Sequence, residues 1–295
     1  MKILIAYDGS GCADEALEDL ARAGLPGEAQ ALVISVAEKW IPPPSSYEVV
    51  ESVYVERSED RLEATTSSRA VGDAHALAFQ ASKIIQSSFP SWTVRADAFC
   101  GSPAGEIIEQ AEKWSADLIV VGSQGRSWLG RLVLGSVSQS VVTEARCSVR
   151  VARNPRGGKD SPLRILLGVD GSANSGAAVK EVATRTWPKG SQVRLVTSLY
   201  PRSEDRADAV DKYISVRDIH ESAEAFLSAA GLAVSSLMRE EDAKHLLVKE
   251  AERWGADSIF IGARGLGRLG QILLGSVSIA VVTQAHCSVE VVRLP

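Results

Sequence analysis

Gly122-Ser-Gln-Gly125 is followed after nine residues by Gly135-Ser136-Val137-Ser138, and Gly262-Ala-Arg-Gly265 is followed at the same spacing by Gly275-Ser276-Val277-Ser278. Each stretch comes directly after an apolar run of strand length, and each Gly-Ser pair opens a segment with helical spacing. A strand, a glycine-rich turn and a helix start in this order predict an α/β unit. The two copies predict two such units in one chain.

The repeat extends far beyond the glycines. The segment 111–117 (Ala-Glu-Lys-Trp-Ser-Ala-Asp) is matched by the segment 251–257 (Ala-Glu-Arg-Trp-Gly-Ala-Asp), and Asp8-Gly-Ser10 is matched by Asp170-Gly-Ser172. The sequence separation between matching segments is larger for Asp8-Gly-Ser10 than for the segment 111–117. The first half therefore carries a surplus of residues between its first strand and its glycine loop. We place this surplus near Trp40–Asp60, where three consecutive prolines break any regular element.

The chain is predicted to form two domains. Residues 154–162 are rich in Gly, Pro and charged residues without apolar periodicity, so they predict a linker between domains 1–153 and 163–295. Within each half, strand-length apolar runs alternate with helical segments, of which the first is expected over Asp14–Ala23 and another over Pro103–Trp114. This alternation predicts an α/β fold with a doubly wound parallel sheet in each domain.

The composition disfavours several classes of protein. With 45% apolar and 23% charged residues the chain is expected to be globular, and a net charge of −5 argues against nucleic-acid binding. The apolar runs are too short for a membrane span. The four cysteines have no CxxC spacing, which favours reduced thiols in a cytoplasmic protein, and the four histidines lack metal-ligand spacing.

The candidate binding site lies where parallel strands end. In open α/β sheets, ligands bind beyond the carboxyl ends of the strands, at the point where the strand order reverses. Ala6-Tyr7-Asp8 and Gly168-Val169-Asp170 end the first strand of each half, and the glycine loops follow the fourth strand. These segments therefore predict one ligand site per half.

The first glycine loop has the chemistry of a phosphate cradle. Gly122 and Gly125 can adopt positive φ angles and let backbone N–H groups approach a ligand without a Cβ in the way. A helix that opens at Ser136 offers unpaired N–H groups and the positive end of its dipole, and the hydroxyls of Ser136 and Ser138 are further expected donors.

A structural interpretation competes with this one. Gly-Ser before a helix is also an ordinary N-cap, and the Asp and Ser of Asp8-Gly-Ser10 also cap a helix. Retention of the spacing in both copies favours the binding interpretation, in which the aspartates meet ribose hydroxyls or a phosphate-bound metal.

The sequence supports binding better than turnover. Neither loop ends in the Gly-Lys-Ser/Thr of a P-loop, and no GxSxG elbow or Cys–His pairing is present. Two alternatives stay open: a slow ATPase or phosphotransferase that uses the same residues, and an interaction scaffold with a degenerate second site.

Together these motifs resemble the universal stress protein family. Its nucleotide-binding members carry G-x2-G-x9-G-S/T after the fourth strand, and both copies match that pattern. The resemblance covers nearly the whole chain apart from the linker and the surplus. It implies a flavodoxin-like, adenine nucleotide alpha-hydrolase-like sandwich with five-stranded parallel sheets of order 3-2-1-4-5. It also implies a role in stress response or signalling through ligand-dependent conformation or partner binding.

The resemblance further implies ATP, or AMP or ADP, as ligand, with Mg reached by Asp8 and Asp170 through the phosphates. Adenine is expected near the ends of the second and fourth strands, at Val36, Val121, Leu199 and Ile261. The remaining expected contacts are the strand-end and loop residues Ala6, Tyr7, Asp8, Gly122, Gln124, Gly125, Gly135, Ser136, Val137, Ser138, Gly168, Val169, Asp170, Gly262, Arg264, Gly265, Gly275, Ser276, Val277 and Ser278.

The second half departs from the family pattern at one point. Gly101-Ser-Pro103 corresponds to Glu241-Asp242-Ala243, and two acidic residues would repel phosphates if they pointed into the site. The family also pairs through its fifth strands. We therefore expect Ser148–Ala152 and Ser288–Val292 to pair within the chain as a pseudo-dimer, with homodimers of the whole chain left open.

Overall fold

The protein is described by a computed structural model that covers most of the chain. The described residues are 1–38, 59–125, 134–153, 157–158, 160–199, 207–265 and 274–294, with backbone alone for 59–67 and 207–214. Most of the surplus near Trp40–Asp60 therefore lies outside the described residues.

Both halves follow the same order of alternating elements. The first half contains β1 (Lys2–Ala6), α1 (Gly11–Leu20), β2 (Gln30–Glu38), α2 (Glu59–Ser88), β3 (Thr93–Gly101), α3 (Pro103–Trp114), β4 (Leu118–Gly122), α4 (Ser136–Glu144) and β5 (Ser148–Ala152). The second contains β6 (Arg164–Gly168), α5 (Ala173–Thr184), β7 (Gln192–Ser198), α6 (Ala207–Ala229), β8 (Ala233–Arg239), α7 (Ala243–Trp254), β9 (Ser258–Gly262), α8 (Ser276–Gln284) and β10 (Ser288–Val292).

The start of helix α1 differs from the sequence prediction. It begins at Gly11, three residues before the predicted Asp14, because the hydroxyl of Ser10 accepts a hydrogen bond from the backbone N–H of Ala13 at 3.2 Å. This is an N-cap, which fixes the first turn. Helix α3 has the predicted bounds, with Pro103 in its first turn.

All ten strands form one sheet. Its order is β3-β2-β1-β4-β5-β10-β9-β6-β7-β8, so each half has the predicted parallel order 3-2-1-4-5. The halves meet where β5 and β10 pair antiparallel, with Val289 opposite Val151 and Val291 opposite Val149. The predicted intrachain pseudo-dimer is confirmed, because each fifth strand covers the open edge of the other.

The helices cover both faces of the sheet. On one face, α3, α4, α7 and α8 pack on a core cluster that runs across both halves and includes Val149 and Val289. On the other face, α1 with α2 and α5 with α6 pack over two separate clusters. Within the described residues, no helix is long and apolar enough to cross a bilayer.

A buried ion cluster lies on the α1/α5 face of the seam between β5 and β10. Arg150 donates to both carboxylate oxygens of Asp19, at 2.6 and 3.0 Å, and to Glu290 at 3.4 Å. Arg185 donates to Glu290 from the other side, at 2.9 Å for one of its two bonds. Burial opposes the charge on Arg150, but the carboxylates of Asp19 and Glu290 outweigh it and raise the pKa of the guanidinium.

The cluster makes the two halves complementary. Arg150 and Glu290 occupy equivalent positions in the two copies of the repeat, and they are direct register partners across the seam. Two copies of the first half paired in this way would bring Arg150 against itself, and two copies of the second half would oppose buried glutamates. Because like charges in a buried site are costly, the seam favours pairing between unlike halves.

We expect Arg150 and Glu290 to be strongly coupled in stability. Arg150→Met removes the guanidinium partner of the buried carboxylate of Asp19, so it should lower the free energy of unfolding by about 3–5 kcal/mol. In the double variant Arg150→Met, Glu290→Gln, the loss in free energy of unfolding should be about 2–3 kcal/mol smaller than the sum of the losses in the two single variants. Urea unfolding of the four proteins measures both quantities.

The matched control is the exposed pair Arg217–Glu221 on α6, which is also an ion pair, with side chains 64% and 60% exposed. A double-mutant cycle on this exposed pair should give a coupling free energy of only about 0.3–0.5 kcal/mol, because water and salt screen the interaction. Equal coupling in the two cycles would contradict the assigned role of the seam cluster.

Candidate functional site

The Asp-Gly-Ser turn after β1 is held against the glycine loop. One carboxylate oxygen of Asp8 accepts from the N–H of Ser10 at 2.9 Å, and Gly9 has a φ of 75°. The hydroxyl of Ser10 donates to the carbonyl of Gln124 at 3.4 Å. The structure therefore brings the two predicted segments of the first half together at the carboxyl edge of the sheet.

The second half repeats this arrangement. Asp170 accepts from the N–H of Ser172 at 3.0 Å, and Gly171 has a φ of 81°. Ser172 donates to the carbonyl of Arg264 at 3.2 Å. The two candidate sites thus share one backbone design.

In each half, a backbone hydrogen bond joins the end of the glycine loop to its beginning, just after the fourth strand. The N–H of Gly135 donates to the carbonyl of Ser123 at 2.8 Å, and Gly275 donates to Ala263 at 2.8 Å. Residues 126–133 and 266–273, which form the middle of each loop, lie outside the described residues. The closures place the starts of α4 and α8 beside the ends of β4 and β9.

The first glycine of each loop has a packing role. Gly122 and Gly125 do not use the positive φ angles that glycine allows; among described glycines the left-handed angles near the sites belong to Gly9 and Gly171. A methyl group on Gly122 would lie 2.7 Å from the backbone oxygen of Cys12. Gly122 therefore lets α1 approach the end of β4, which glycine alone allows.

Gly262 repeats this role in the second half. A methyl group placed on it would lie 2.7 Å from the backbone carbon of Asn174, at the start of α5. The close approach of a helix start to the fourth strand is thus common to both halves.

The second glycine of each loop faces the aspartate. A methyl group on Gly125 would lie 3.2 Å from a carboxylate oxygen of Asp8, and one on Gly265 would overlap the carboxylate of Asp170. A side chain at either position would therefore fill the space between the loop and the aspartate.

The starts of α4 and α8 have backbone donors with no side-chain partner among the described residues. Gly135 and Gly275 are their N-cap residues, and among described residues no side chain caps either helix. Helices α1 and α5, by contrast, are capped by the hydroxyls of Ser10 and Ser172. Since the first N–H groups of a helix need partners and the dipole favours negative charge, both helix starts suit a phosphate.

The serines at the third helical position have a structural role. Ser138 donates its hydroxyl to the carbonyl of Gly122 at 2.6 Å, and Ser278 donates to Gly262 at 2.8 Å. Both serines are buried. The expectation that the Ser138 hydroxyl donates to a ligand is replaced by this internal bond, which anchors the helix start to the strand end. Ser136 is exposed and keeps the predicted position.

The residues expected near adenine occupy different depths. Val121 and Ile261 are 3% exposed and belong to the core, whereas Val36 is partly exposed on β2. The register pairs Ala6 with Ile34 and Gly168 with Val196, so the equivalent of Val36 is Ser198 rather than Leu199. A shift of one residue along a strand moves a side chain to the other face.

The acidic residues Glu241 and Asp242 of the second half, just before α7, have partners on that helix. Glu241 pairs with Lys249 at 2.8 Å, and Asp242 accepts from the N–H of Lys244 at 2.9 Å as the N-cap of that helix. The hydroxyl of Ser198 donates to the carbonyl of Glu241 at 2.6 Å. Both carboxylates are thus engaged outside the glycine loop, which weakens the predicted repulsion of phosphates.

Two equivalent arginines, which the sequence analysis missed, tie the site helices to the seam. Arg293, just after β10, donates to the carbonyls of Cys147, at 3.2 Å, and Val142 near the end of α4. Arg153, just after β5, reaches Cys287 at 3.4 Å and also Val282 on α8. Burial lowers the pKa of Arg293 to about 10. The sequence signal that could have identified Arg153 and Arg293 is their equivalent position in the two copies of the repeat.

Comparisons with known proteins agree with this architecture. The sequence matches the Universal stress protein family over residues 1–153 and 163–293. A universal stress protein of Mycobacterium tuberculosis is 26% identical over 309 residues, which cover 99% of this chain and 95% of the relative. One from Methanocaldococcus jannaschii is 29% identical over 161 residues, which cover 52% of this chain and 83% of the relative.

A solved structure has the same overall fold. The crystal structure of a universal stress protein from Archaeoglobus fulgidus aligns with a TM-score of 0.69 at 21% identity, covering 99% of this chain and 98% of that one. The fold is that of a tandem α/β protein with two equivalent candidate sites, which lie at opposite edges of a shared sheet because β5 and β10 run antiparallel. The chain belongs to the universal stress protein family.

We expect Gly122→Ala to destabilise the fold. The added methyl group would press on backbone atoms of α1, which cannot move aside as a flexible side chain would, so the expected loss is on the order of 1–3 kcal/mol. Gly11→Ala is the control, because a methyl group there meets no described atom within 4 Å. Thermal unfolding compares the two, and equal stabilities would contradict the packing role of Gly122.

Proposed function

We propose that this universal stress protein binds ATP at two sites, one per half, and acts in stress response or signalling through a ligand-dependent conformation or partner. The observation that carries the proposal is the pair of helix starts at Gly135 and Gly275. Each lacks a side-chain cap among described residues and lies beside an Asp-Gly-Ser turn.

The first helix start would hold the phosphates of the nucleotide. The backbone N–H groups of Ser136 and Val137 begin α4, and the helix dipole favours negative charge at that end. Gly125 keeps the approach open, because it has no side chain between the loop and Asp8. Ser276, Val277 and Gly265 are the second-half equivalents.

The aspartates would orient the nucleotide. One oxygen of Asp8 holds its own turn, and the other faces Gly125. That second oxygen is placed to accept from a ribose hydroxyl or to reach a phosphate-bound Mg ion. Asp170 has the same arrangement against Gly265.

The two sites are proposed to differ in affinity. The second loop carries an exposed Arg264 where the first carries Gln124, which adds a positive charge near the phosphates. Phosphate binding at the second site should therefore weaken more with added salt.

Several further assignments belong to this proposal. We place the domain bounds at 1–153 and 163–295, with 154–162 as the linker, and the protein in the cytoplasm. Homodimers of the whole chain are compatible with the sheet, since β3 and β8 form its outer edges.

The proposal predicts nucleotide binding that depends on both glycine loops. Heat denaturation of the purified protein should release an adenine nucleotide, and the emptied protein should bind ATP in calorimetric titration. Gly125→Val should remove the first site and Gly265→Val the second, because each side chain fills the space beside its aspartate. The double variant should bind none at ATP concentrations of about 1 mM.

Gly27→Val is the matched control, since Gly27 is exposed and a methyl group there meets no described atom within 4 Å. It should bind ATP as the unaltered protein does. ATP binding that survives in the Gly125→Val, Gly265→Val double variant would refute the proposed sites. Phosphate release, followed in the same samples, distinguishes a slow ATPase from a protein that only holds the nucleotide.

A further inference from the structure

The first half ends in a long strand edge that no other described strand covers. β3 is the outermost strand on this side of the sheet, and its described strand neighbour is β2. It is nine residues long, and Thr93, Arg95 and Asp97 on it are exposed. Edge strands are commonly short or carry Lys or Pro, because their outward N–H and C=O groups attract other strands. β3 is long and contains neither Lys nor Pro.

The hydrogen bonds of β3 show which residues face outward. The N–H of Thr93 donates to the carbonyl of Ala29, on the β2 side, at 2.9 Å. Because successive residues of a strand direct their N–H and C=O groups to alternate sides, those of Ala96 and Ala98 face away from β2. Among the described residues, the N–H of Ala98 meets no strand and donates instead to the carboxylate of its neighbour Asp97 at 2.9 Å.

The charges on β3 are complementary to those of a second copy of the same strand. An antiparallel pair of β3 strands centred on Ala96 is two-fold symmetric, and it places Arg95 of each copy opposite Asp97 of the other. Since Ala96 faces outward, it forms a hydrogen-bonded pair with its own copy. Arg95 and Asp97 then occupy the flanking pairs, in which side chains approach most closely.

The same register satisfies the outward N–H of Ala98. It meets the carbonyl of Val94 of the second copy, which releases the carboxylate of Asp97 for Arg95 of that copy. A parallel, in-register pair would instead oppose Arg to Arg and Asp to Asp, which is destabilising. Charge and hydrogen bonding therefore favour the antiparallel arrangement.

An exposed ring on α2 extends this surface. Phe79 is 50% exposed. Gln86, two turns further along the same side of the helix, donates to the carbonyl of Trp92 at 3.1 Å, immediately before β3. Phe79 therefore lies on the flank of α2 that is turned to the β3 side. The two-fold axis of the strand pair is perpendicular to the sheet, so the α2 helices of both copies lie on one face with these flanks turned to each other.

The second half has a charged flank at the equivalent place. When buried Ile85 on α2 is aligned with buried Leu227 on α6, Phe79 corresponds to Glu221. Glu221 is exposed and forms an ion pair with Arg217 at 2.7 Å. The edge strand of this half, β8, is also shorter, with seven residues. The edge of the first half is thus the better surface for strand pairing.

We propose that β3 pairs antiparallel with β3 of a second copy of this chain, so that two ten-stranded sheets become one continuous sheet. Backbone hydrogen bonds supply affinity, and the two contacts between Arg95 and Asp97 set the register. This inference rests on the homodimer of the proposed function and names its interface. It does not require nucleotide binding, because the glycine loops follow β4 and β9 instead of β3.

Two charge reversals test the register in the full chain. Arg95→Asp leaves only acidic side chains at the two charged positions, and Asp97→Arg leaves only basic ones. Each variant should dimerise at least about tenfold more weakly than the unaltered protein, because like charges then oppose each other at both pairs. Sedimentation equilibrium over a series of protein concentrations measures the dissociation constant, and melting temperatures report whether each variant is folded.

A mixture of the two variants distinguishes this interface from any other. In the mixed pair, acidic side chains of one variant meet basic side chains of the other, so heterodimers should form with an affinity within about threefold of the unaltered protein. Arg239→Asp is the matched control, because it reverses an exposed charge on the other edge strand, β8. It should leave dimerisation unchanged.

The possible failures are distinguishable. A chain that stays monomeric at about 1 mM would overturn the homodimer and this interface together. Slow hydrogen exchange at β3 in such a monomer would show that the chain itself covers the edge. A dimer that survives both reversals, or a mixture that fails to associate, would overturn the interface alone. ATP titration of the same samples reports on the nucleotide sites separately.

Discussion

The antiparallel pairing of β5 with β10 is the interaction on which the rest of the molecule depends. It closes the open edge of each five-stranded sheet and lets one apolar core run across both halves. At its centre, Arg150 and Glu290 bring opposite charges together in a site that excludes water. Buried ion pairs add little net stability, so we assign this one to the choice of partner. The duplicated halves have diverged into complementary surfaces at the position where self-pairing would bring like charges into contact.

The seam also reaches the candidate binding sites. Arg153 and Arg293 each extend from the end of a fifth strand to the last helix of the other half, where they satisfy carbonyls near the helix end. Helices α4 and α8 therefore have one end at a proposed phosphate site and the other end in contact with the opposite half. This arrangement connects each candidate site to the opposite half through one helix.

Much of this architecture could be predicted from the sequence, because strand order and helix starts follow from local patterns. The repeated glycine spacing located α4 and α8, and Pro103 located the start of α3. Features that depend on register could not be read in advance. The meeting of Arg150 with Glu290 requires the alignment of β5 with β10, and the packing role of Gly122 requires the position of α1.

The central claim is that the starts of α4 and α8, which no described side chain caps, hold the phosphates of a nucleotide. Protein labelled with ¹⁵N-valine tests it directly, because Val137 and Val277 each contribute a backbone N–H to one helix start, and Val137→Ile and Val277→Ile identify their resonances. Addition of saturating ATP should shift these two amide resonances more than those of the core valines Val149 and Val289. Unchanged Val137 and Val277 resonances under conditions where ATP binds would contradict the account.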